Sequence, residues 1–492
     1  MTEELLPPDS DLFESMRSIG YSLKTAVADI VDNSISAKAS RVSISFESGS
    51  NAHVSIVDNG VGMSKDELRV AMKLAGKSPK SIRDKVDLGR FGLGLKTASL
   101  SQCRKLTVLT RQKGGEISCA QWDLDFVASR GDWVLRWLEP EQYPQHFDVH
   151  NFLGFPEGTA VVWEDLDQLV DLDGTDDVTL VAKFAEVGEH LRLVFHRFMA
   201  NTHRSTTSID LNEQQLVPFD PFLQGGVGVQ TKPSQKIVVS GESVTVTPYI
   251  LPNQNKMTAD QRRKTLFGES LERTAGFYVY RNERLLVHGT WFRLTPRTPL
   301  AKLARVQVDF PPALDSEWQL GIMTSSVQPP LALRRALSQL VPKIVGESAS
   351  VAKGVSRAIT GESIGIWRVR ELGNGECAFE ISADYPLISS FAAQLGASET
   401  KKLESILRLI ESQFPVNILY SRMAADFVVN QSANEIDILQ FANEFLSSLL
   451  SQGLSSDIAY AALLNVEPIV GNPQLAKQIE ERREEILKGA GA

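Results

Sequence analysis

Asp29 and Asn33 lie four residues apart in the stretch VADIVDNSIS, residues 27–36. On a helix that spacing projects both from one face, while Val27, Ile30 and Val31 point toward a core. Alone, such a pair reads as the solvated stripe of an amphipathic helix. Further along, IVDNGVGM (56–63) is a strand running into a turn that carries Asp58, Gly60 and Gly62. Alone, Asn-Gly after a strand is a hairpin turn. DLGRFGLGLKTAS (87–99) then sets Gly89, Gly92 and Gly94 before a helix of small and apolar residues. Bare backbone N–H groups at a helix N-terminus favour a phosphate anion, and glycine lets the phosphate approach. Between the two glycine elements the second half of SKDELRVAMKLAGKSPKSIRDKV (64–86) is polar, as expected of a lid. Finally PEGTAVVWEDLD (156–167) opens a strand with Gly158 and Thr159. Each piece is common; the ordered set is not.

The elements that must position these residues follow from periodicity. Helices are expected at 12–18, 22–38 and 64–74, and strands at 41–47, 53–58, 105–111 and 159–166, giving a two-layer α/β domain over 1–205. A strand-rich segment follows at 206–345, in which TSIDLN, KIVVSGESVTVTPYIL, AGFYVYRNERLLVHG and ARVQVDF alternate apolar and polar residues and a helix begins near Pro330. Within it LQGGVGVQTKPSQ and NQNKMTADQRRK read as loops. The third segment, 346–492, has GIWRVREL and CAFEISAD as hairpin strands and helices around 399–412, 432–452 and 473–488.

Composition bounds the reading. At 492 residues the chain is too long for a single core, and 42% hydrophobic with 23% charged residues is globular. No apolar run is long enough to span a membrane, and the acidic start MTEELLPPDS lacks the pattern of a signal peptide, so a cytoplasmic protein is expected. Cys103, Cys119 and Cys377 form no CxxC pair and support neither a disulfide framework nor a zinc site. The net charge of −9 argues against wholesale nonspecific binding of nucleic acid while leaving room for a local basic patch.

Over roughly residues 10–200 the order of Asn-bearing helix, DNGVGM, lid, GRFGLGLK and GT strand resembles the GHKL (Bergerat-fold) ATPase superfamily of gyrase B, ninety-kilodalton heat-shock chaperones, sensor kinases and MutL, closest to the MORC and MutL-like branches. The resemblance implies an ATP site that uses Mg2+. It implies that Asn33 is the metal ligand, that Asp58 accepts a hydrogen bond from the adenine amino group, and that Gly60, Gly62 and Met63 shape the adenine wall with support from Thr159. It further implies that the backbone of Gly89, Arg90, Phe91, Gly92, Leu93, Gly94 and Leu95 holds the phosphates. Lys77 and Lys80 of the lid, with Lys96, could neutralise phosphate charge, the alternative being solvated surface lysines.

One departure concerns catalysis. The superfamily usually has glutamate four residues before the asparagine, and here that position is Asp29. Aspartate can still be a general base, but its carboxylate is one methylene shorter, and a misplacement of order 1 Å can cost about a hundredfold in rate. Slow hydrolysis is the expectation. Asp32 ranks second because it lies about 60° around the helix from Asp29. The resemblance also extends to 206–345, where AGFYVYRNERLLVHGTW looks like the β-α-β transducer that sends a lysine to the terminal phosphate in relatives. Met323 and Thr324 stand where a lysine pair would be expected, and nothing singles out Lys264 or Lys302 as its substitute.

The resemblance implies an ATP-gated switch that pairs as a homodimer through its ATPase domains and regulates a DNA-processing or nuclease-like, operon-encoded partner in antiphage defence. DNA as a further ligand is left open, and residues 346–492 read as a partner-docking domain. The alternative is a nucleotide-binding scaffold with little hydrolysis. A histidine kinase would need a phosphoacceptor helix, and no dimerising helical hairpin precedes residue 20.

The lid yields a direct expectation. Residues 75–88, AGKSPKSIRDKVDL, carry Lys77, Lys80, Arg83 and Lys85, with Arg90 just beyond, and few apolar anchors. Fixing each residue costs about 1–2 kcal/mol of backbone entropy, which contacts to triphosphate and Mg2+ would offset. Proteolytic cleavage within 75–90 should therefore fall when an ATP analogue and Mg2+ are added and return with ADP. Equal cleavage in all three states would leave a nucleotide pocket without a switch.

Overall fold

The computed structural model describes residues 14, 17, 20–49, 51–73, 94–169, 177–200, 206–253, 256–259, 261–262, 269–318, 327–352, 365–373, 376–416, 418–419, 438–466, 469 and 473–490. The chain divides into two compact units, residues 1–352 and 353–492.

The first unit holds two sheets. Strands β1 (Arg41–Glu47), β2 (His53–Asp58), β3 (Lys105–Arg111), β4 (Ser118–Asp123), β5 (Arg136–Trp137), β6 (Gly158–Glu164), β7 (Ser208–Leu211) and β8 (Gln214–Gln215) form one eight-stranded sheet in the order β5-β4-β3-β6-β2-β1-β7-β8. Neighbours are antiparallel except β1 and β7, which run parallel. TSIDLN thus completes the first sheet, because β7 lies in register beside β1 from Arg41↔Ser208 to Ile44↔Leu211.

Period-two alternation decides which side chains face which layer. Val54 and Ile56 of β2, Leu106 and Val108 of β3, and Val161 and Trp163 of β6 join a core with Ala26, Val27, Ile30 and Val31 of the helix Leu23–Ser36 and with Phe184, Val187 and Leu191 of the helix Asp177–Val194. Continuing the same alternation, Asp58, Thr110 and Thr159 lie on this helical side at one end of the sheet, where Asp58↔Thr159 and Thr110↔Thr159 are in register. The opposite face is partly covered: Val57, Leu109, Ala160 and Val162 pack with Val149 and Phe152 of the helix Phe147–Leu153.

The second sheet has β9 (Gln230–Thr231), β10 (Gln235–Val239), β11 (Glu242–Ile250), β12 (Gly276–Arg281), β13 (Arg284–Thr290) and β14 (Ala304–Phe310), ordered β10-β11-β14-β12-β13 with β9 paired to β11. Leu333, Leu337, Val341 and Ile344 of the helix Leu331–Ala352 close its core. The two sheets are fastened by polar contacts between distant parts of the chain. The His196 ring nitrogen lies 2.8 Å from the Tyr280 hydroxyl, Arg197 pairs with Asp309 at 2.5 Å, and Arg284 pairs with Asp32 at 3.0 Å.

The second unit contains the hairpin of β15 (Trp367–Gly373) and β16 (Glu376–Ile381) with helices Pro386–Gln394, Ala397–Ser412, Ile438–Ser451, Ser456–Leu464, Pro473–Glu481 and Arg483–Gly489. Its core joins Tyr385, Phe445, Leu446, Leu463, Ile479 and Ile486.

Phe184 is fully buried and stacks on Phe46 at a centroid distance of 4.1 Å, whereas Val227 is 91% exposed. Phe184→Ala should cost about 3–5 kcal/mol in a urea titration, and Val227→Ala should stay within about 0.5 kcal/mol of wild type. Similar losses for both would remove the helix Asp177–Val194 from the core.

Candidate functional site

Ser22 caps the helix Leu23–Ser36 by accepting from the Thr25 amide, and the apolar residues of the helix anchor it on the sheet. Its polar positions then meet the strand ends. Ser34 donates to one Asp58 carboxylate oxygen at 2.9 Å, and the Gly60 amide donates to the other at 2.8 Å. Asp58 is 5% exposed; burial pushes its carboxyl pKa up, while the Gly60 amide, the Ser34 hydroxyl and a backbone bond from Thr159 oppose that shift.

The glycines here have steric causes. A Cβ on Gly60 would lie 2.8 Å from both Cβ and carbonyl oxygen of Ala37. At Gly62 (φ +65°) it would collide with the Arg111 carbonyl, and at Gly158 (φ +141°) with the Asp58 carbonyl. Asn59 is a fastener: its side-chain oxygen accepts from the Ser40 and Arg41 amides at 3.0 and 2.9 Å. The Met63 amide donates to the Thr110 hydroxyl at 2.9 Å, and that hydroxyl lies 3.1 Å from the Thr159 hydroxyl.

One turn back along the helix, Asp29 faces the second glycine element. A Cβ on Gly94 would sit 3.9 Å from its carboxylate, an ordinary contact distance. The Tyr21 hydroxyl donates to Asp29 at 3.1 Å, and Thr97 hydrogen-bonds that phenol in turn. Burial, and next Asp32, raise the Asp29 pKa to about 7, against the opposing influence of Arg284 and Tyr21. A carboxylate with that basicity is matched to proton abstraction near neutral pH. Asp32 is buried against Arg284; burial raises its pKa and the guanidinium opposes that. Asn33 is exposed on the helix, one turn beyond Asp29.

Asp29, Asn33, Asp58, Gly60, Gly62, Met63, Gly94 and Thr159 are thus carried by one helix, two adjacent strand ends, the turn after β2 and the start of the helix Gly94–Leu100. Leu95 packs against the core. Lys77, Gly89, Arg90, Phe91, Gly92 and Leu93 lie outside the described residues, as does the lid segment 75–88. Lys96, expected to neutralise phosphate charge or else to be a solvated surface lysine, is 2% exposed and donates to the Ala71 carbonyl at 2.6 Å, which excludes the second alternative; desolvation lowers its pKa to about 8.

Sequence reasoning missed Tyr21, Ser34, Thr110 and Arg284. Strand alternation from Leu106 and Val108 could have placed Thr110, and the helical spacing of Ser34, one residue past Asn33, was visible. Arg284 meets Asp32 across 252 residues and leaves no local signal.

Gly62→Ala should destabilise the fold by more than about 1 kcal/mol because the end of β3 must move, whereas Gly114→Ala, also at positive φ (+74°) but with nothing within 4 Å, should cost less. Denaturant titration of the two variants checks the difference, and equal losses would reject the steric cause.

Comparison with known proteins bears on this geometry. Residues 21–159 match the family described as "Histidine kinase-, DNA gyrase B-, and HSP90-like ATPase". The DNA mismatch repair protein MutL of Shewanella sediminis is 33% identical over 113 residues, 23% of this chain and 18% of that protein. MutL of Pasteurella multocida is 36% identical over 91 residues, 18% of this chain and 14% of that one. The chain thus spans less than a fifth of the length of these relatives. A solved structure described as the N-terminal domain of a DNA repair protein aligns over 69% of this chain and 98% of its own, at 15% identity and a TM-score of 0.42. Among the described residues no helix is long and apolar enough to cross a membrane. With Asp29 set against Gly94 and Asp58 held between Ser34 and Gly60, residues 21–159 are an ATPase domain of the GHKL superfamily.

Proposed function

We propose that this chain is an ATP-dependent, slowly hydrolysing conformational switch. The observation that carries this reading is a single helix that presents Ser34 to the buried Asp58 carboxylate and, from the neighbouring turn, Asp29 to Gly94. Asp58 accepts the adenine amino group, and Gly60, Gly62 and Thr159 leave the base room at the strand ends. Asn33 supplies a neutral oxygen to Mg2+, which when bound neutralises phosphate charge. Asp29 takes the proton of the attacking water, and Tyr21 fixes the direction of its carboxylate.

The wider role is proposed on the same footing. ATP and Mg2+ close the lid and pair two ATPase domains, and the paired state regulates a nuclease-like or other DNA-processing partner. That the curated relatives are DNA mismatch repair proteins supports a DNA-linked role, and antiphage defence is the setting we favour from the MORC-like sequence pattern. Residues 1–205 would bind nucleotide, 206–345 would transmit its state, and 346–492 would dock the partner. Supporting the last assignment, the helix Ala397–Ser412 exposes Ile406, Leu409 and Ile410.

Two substitutions separate binding from turnover. Asp58→Asn puts a donor where an acceptor is needed, so ATP affinity should fall about 5- to 150-fold, corresponding to roughly 1–3 kcal/mol. Asp29→Asn keeps the shape but cannot take a proton, so hydrolysis should drop about a hundredfold or more while ATP still binds. Calorimetric titration and a phosphate-release assay read the two quantities. A wild-type chain that binds ATP without turnover, alone or with DNA, would leave a nucleotide-binding scaffold.

A further inference from the structure

Asp32 and Arg284 form a buried ion pair for which nucleotide binding alone has no use. Their side chains are 10% and 5% exposed, and the guanidinium Nε lies 3.0 and 3.2 Å from the two carboxylate oxygens. Arg284 opens β13, where it also bonds the Leu285 carbonyl and lies 4.9 Å from the Phe195 ring. Asp32 stands three residues after Asp29, so the two carboxylates are neighbours on the helix surface. A second negative charge so placed opposes ionisation of Asp29, and a guanidinium beside it favours ionisation.

We propose that Arg284, reaching from the second sheet, is an electrostatic positioning residue of the ATPase site: by neutralising Asp32 it leaves Asp29 to be the carboxylate that accepts the proton from water. This rests on the ATPase reading above. It gives the second sheet control over the base without any lysine at the terminal phosphate, since a small withdrawal of β13 would free the Asp32 charge and make Asp29 hold its proton. The transfer is a proton move from water oxygen to Asp29, and Arg284 and Asp32 exchange nothing.

Among the described residues, the titratable groups acting on Asp29 are Tyr21 from the segment before the helix, Asp32 on the same helix and Arg284 from the second sheet. Arg281 acts on Asp32, and Arg284, Lys24 and His288 all act on His190, whose pKa burial lowers to about 3. With Asp29 titrating at about 7, its protonation state lies within reach of ordinary assay conditions.

The two halves of the pair must act in opposite directions. Removing the cation in Arg284→Gln should move the acid limb of the kcat–pH profile up, and removing the anion in Asp32→Asn should move it down, each by about 0.5–1 pH unit. The double variant Asp32→Asn/Arg284→Gln should return toward wild type, with the KM for MgATP within about twofold throughout. Steady-state hydrolysis by the full chain from pH 5 to 9 reads this. Shifts in one direction for both single variants, or a pH-independent loss of kcat, would mean a structural pair only and overturn the proposal. If Arg284→Gln does not fold, the comparison of Asp32→Asn with the double variant decides in the same way, since identical limbs for those two would overturn it. A second readout needs no turnover: the pH at which the Tm difference between each background and its Asp29→Asn derivative stops growing should shift in the same opposite directions. Ionised Asp29 is unfavourable in this site, so the derivative should gain relative stability as pH rises from the ordinary carboxylate range of the unfolded chain, and the gain should level off at the folded-state pKa of about 7. Opposite shifts without hydrolysis would retire the ATPase reading and keep the control of Asp29. An unshifted plateau in an active protein would retire the proposal alone.

Discussion

The buried carboxylate of Asp58 is the constraint around which the nucleotide end of this fold is built. A carboxylate taken out of water is costly unless hydrogen-bonded, and three elements supply the donors: Ser34 from the helix, Gly60 from the following turn and the Thr159 backbone from the neighbouring strand. Each donor fixes a part of the structure. Ser34 sets the rotation of the helix on the sheet, and that rotation aims Asp29 toward Gly94. The Asp58 carbonyl leaves no room for a side chain at Gly158, so the strand that brings Thr159 must begin with glycine. Asn59 then ties the turn back to the start of β1.

Three aspartates close to one helix therefore meet three different fates. Asp58 is held by neutral donors and serves as an acceptor. Asp32 is held by a cation and serves as an anchor between the sheets. Asp29 has a phenol for a partner and a basicity near neutral, the property on which its proposed role as base rests. The environment, and not the residue type, divides the labour. The same interface carries Arg197, whose guanidinium pairs with Asp309 and lies 3.5 Å from the Tyr280 ring, so the second sheet is attached beside the helix that bears the site.

Much of the first sheet was legible because its strands alternate cleanly and its turns need glycine. The expected strands 41–47, 53–58 and 105–111 match β1, β2 and β3 residue for residue. The helix at 22–38 ends two residues early, where the Ala37 amide bonds back to the Asn33 carbonyl, the Lys38 amide to the Ile35 carbonyl, and Lys38 turns to φ +61°. Less was legible where tertiary context overrides local pattern. TSIDLN looks like the start of a new domain, yet its hydrogen bonds go to β1, more than 160 residues earlier. For Lys96 the sequence leaves a phosphate-neutralising lysine and a solvated surface lysine side by side, and only the packing of its helix shows it buried on the Ala71 carbonyl. The Asp32–Arg284 pair is invisible to any window shorter than 252 residues.

Base selectivity tests the central claim most directly, because it asks what the Asp58 carboxylate accepts. Adenine offers an amino group there, and hypoxanthine a carbonyl acceptor that a carboxylate repels. Calorimetric titration of the full chain with the Mg2+ complexes of ATP and inosine triphosphate should show ATP bound about 5- to 150-fold more tightly, the range expected for one desolvated mismatch of roughly 1–3 kcal/mol. Equal affinities for the two nucleotides would contradict an adenine site built on Asp58.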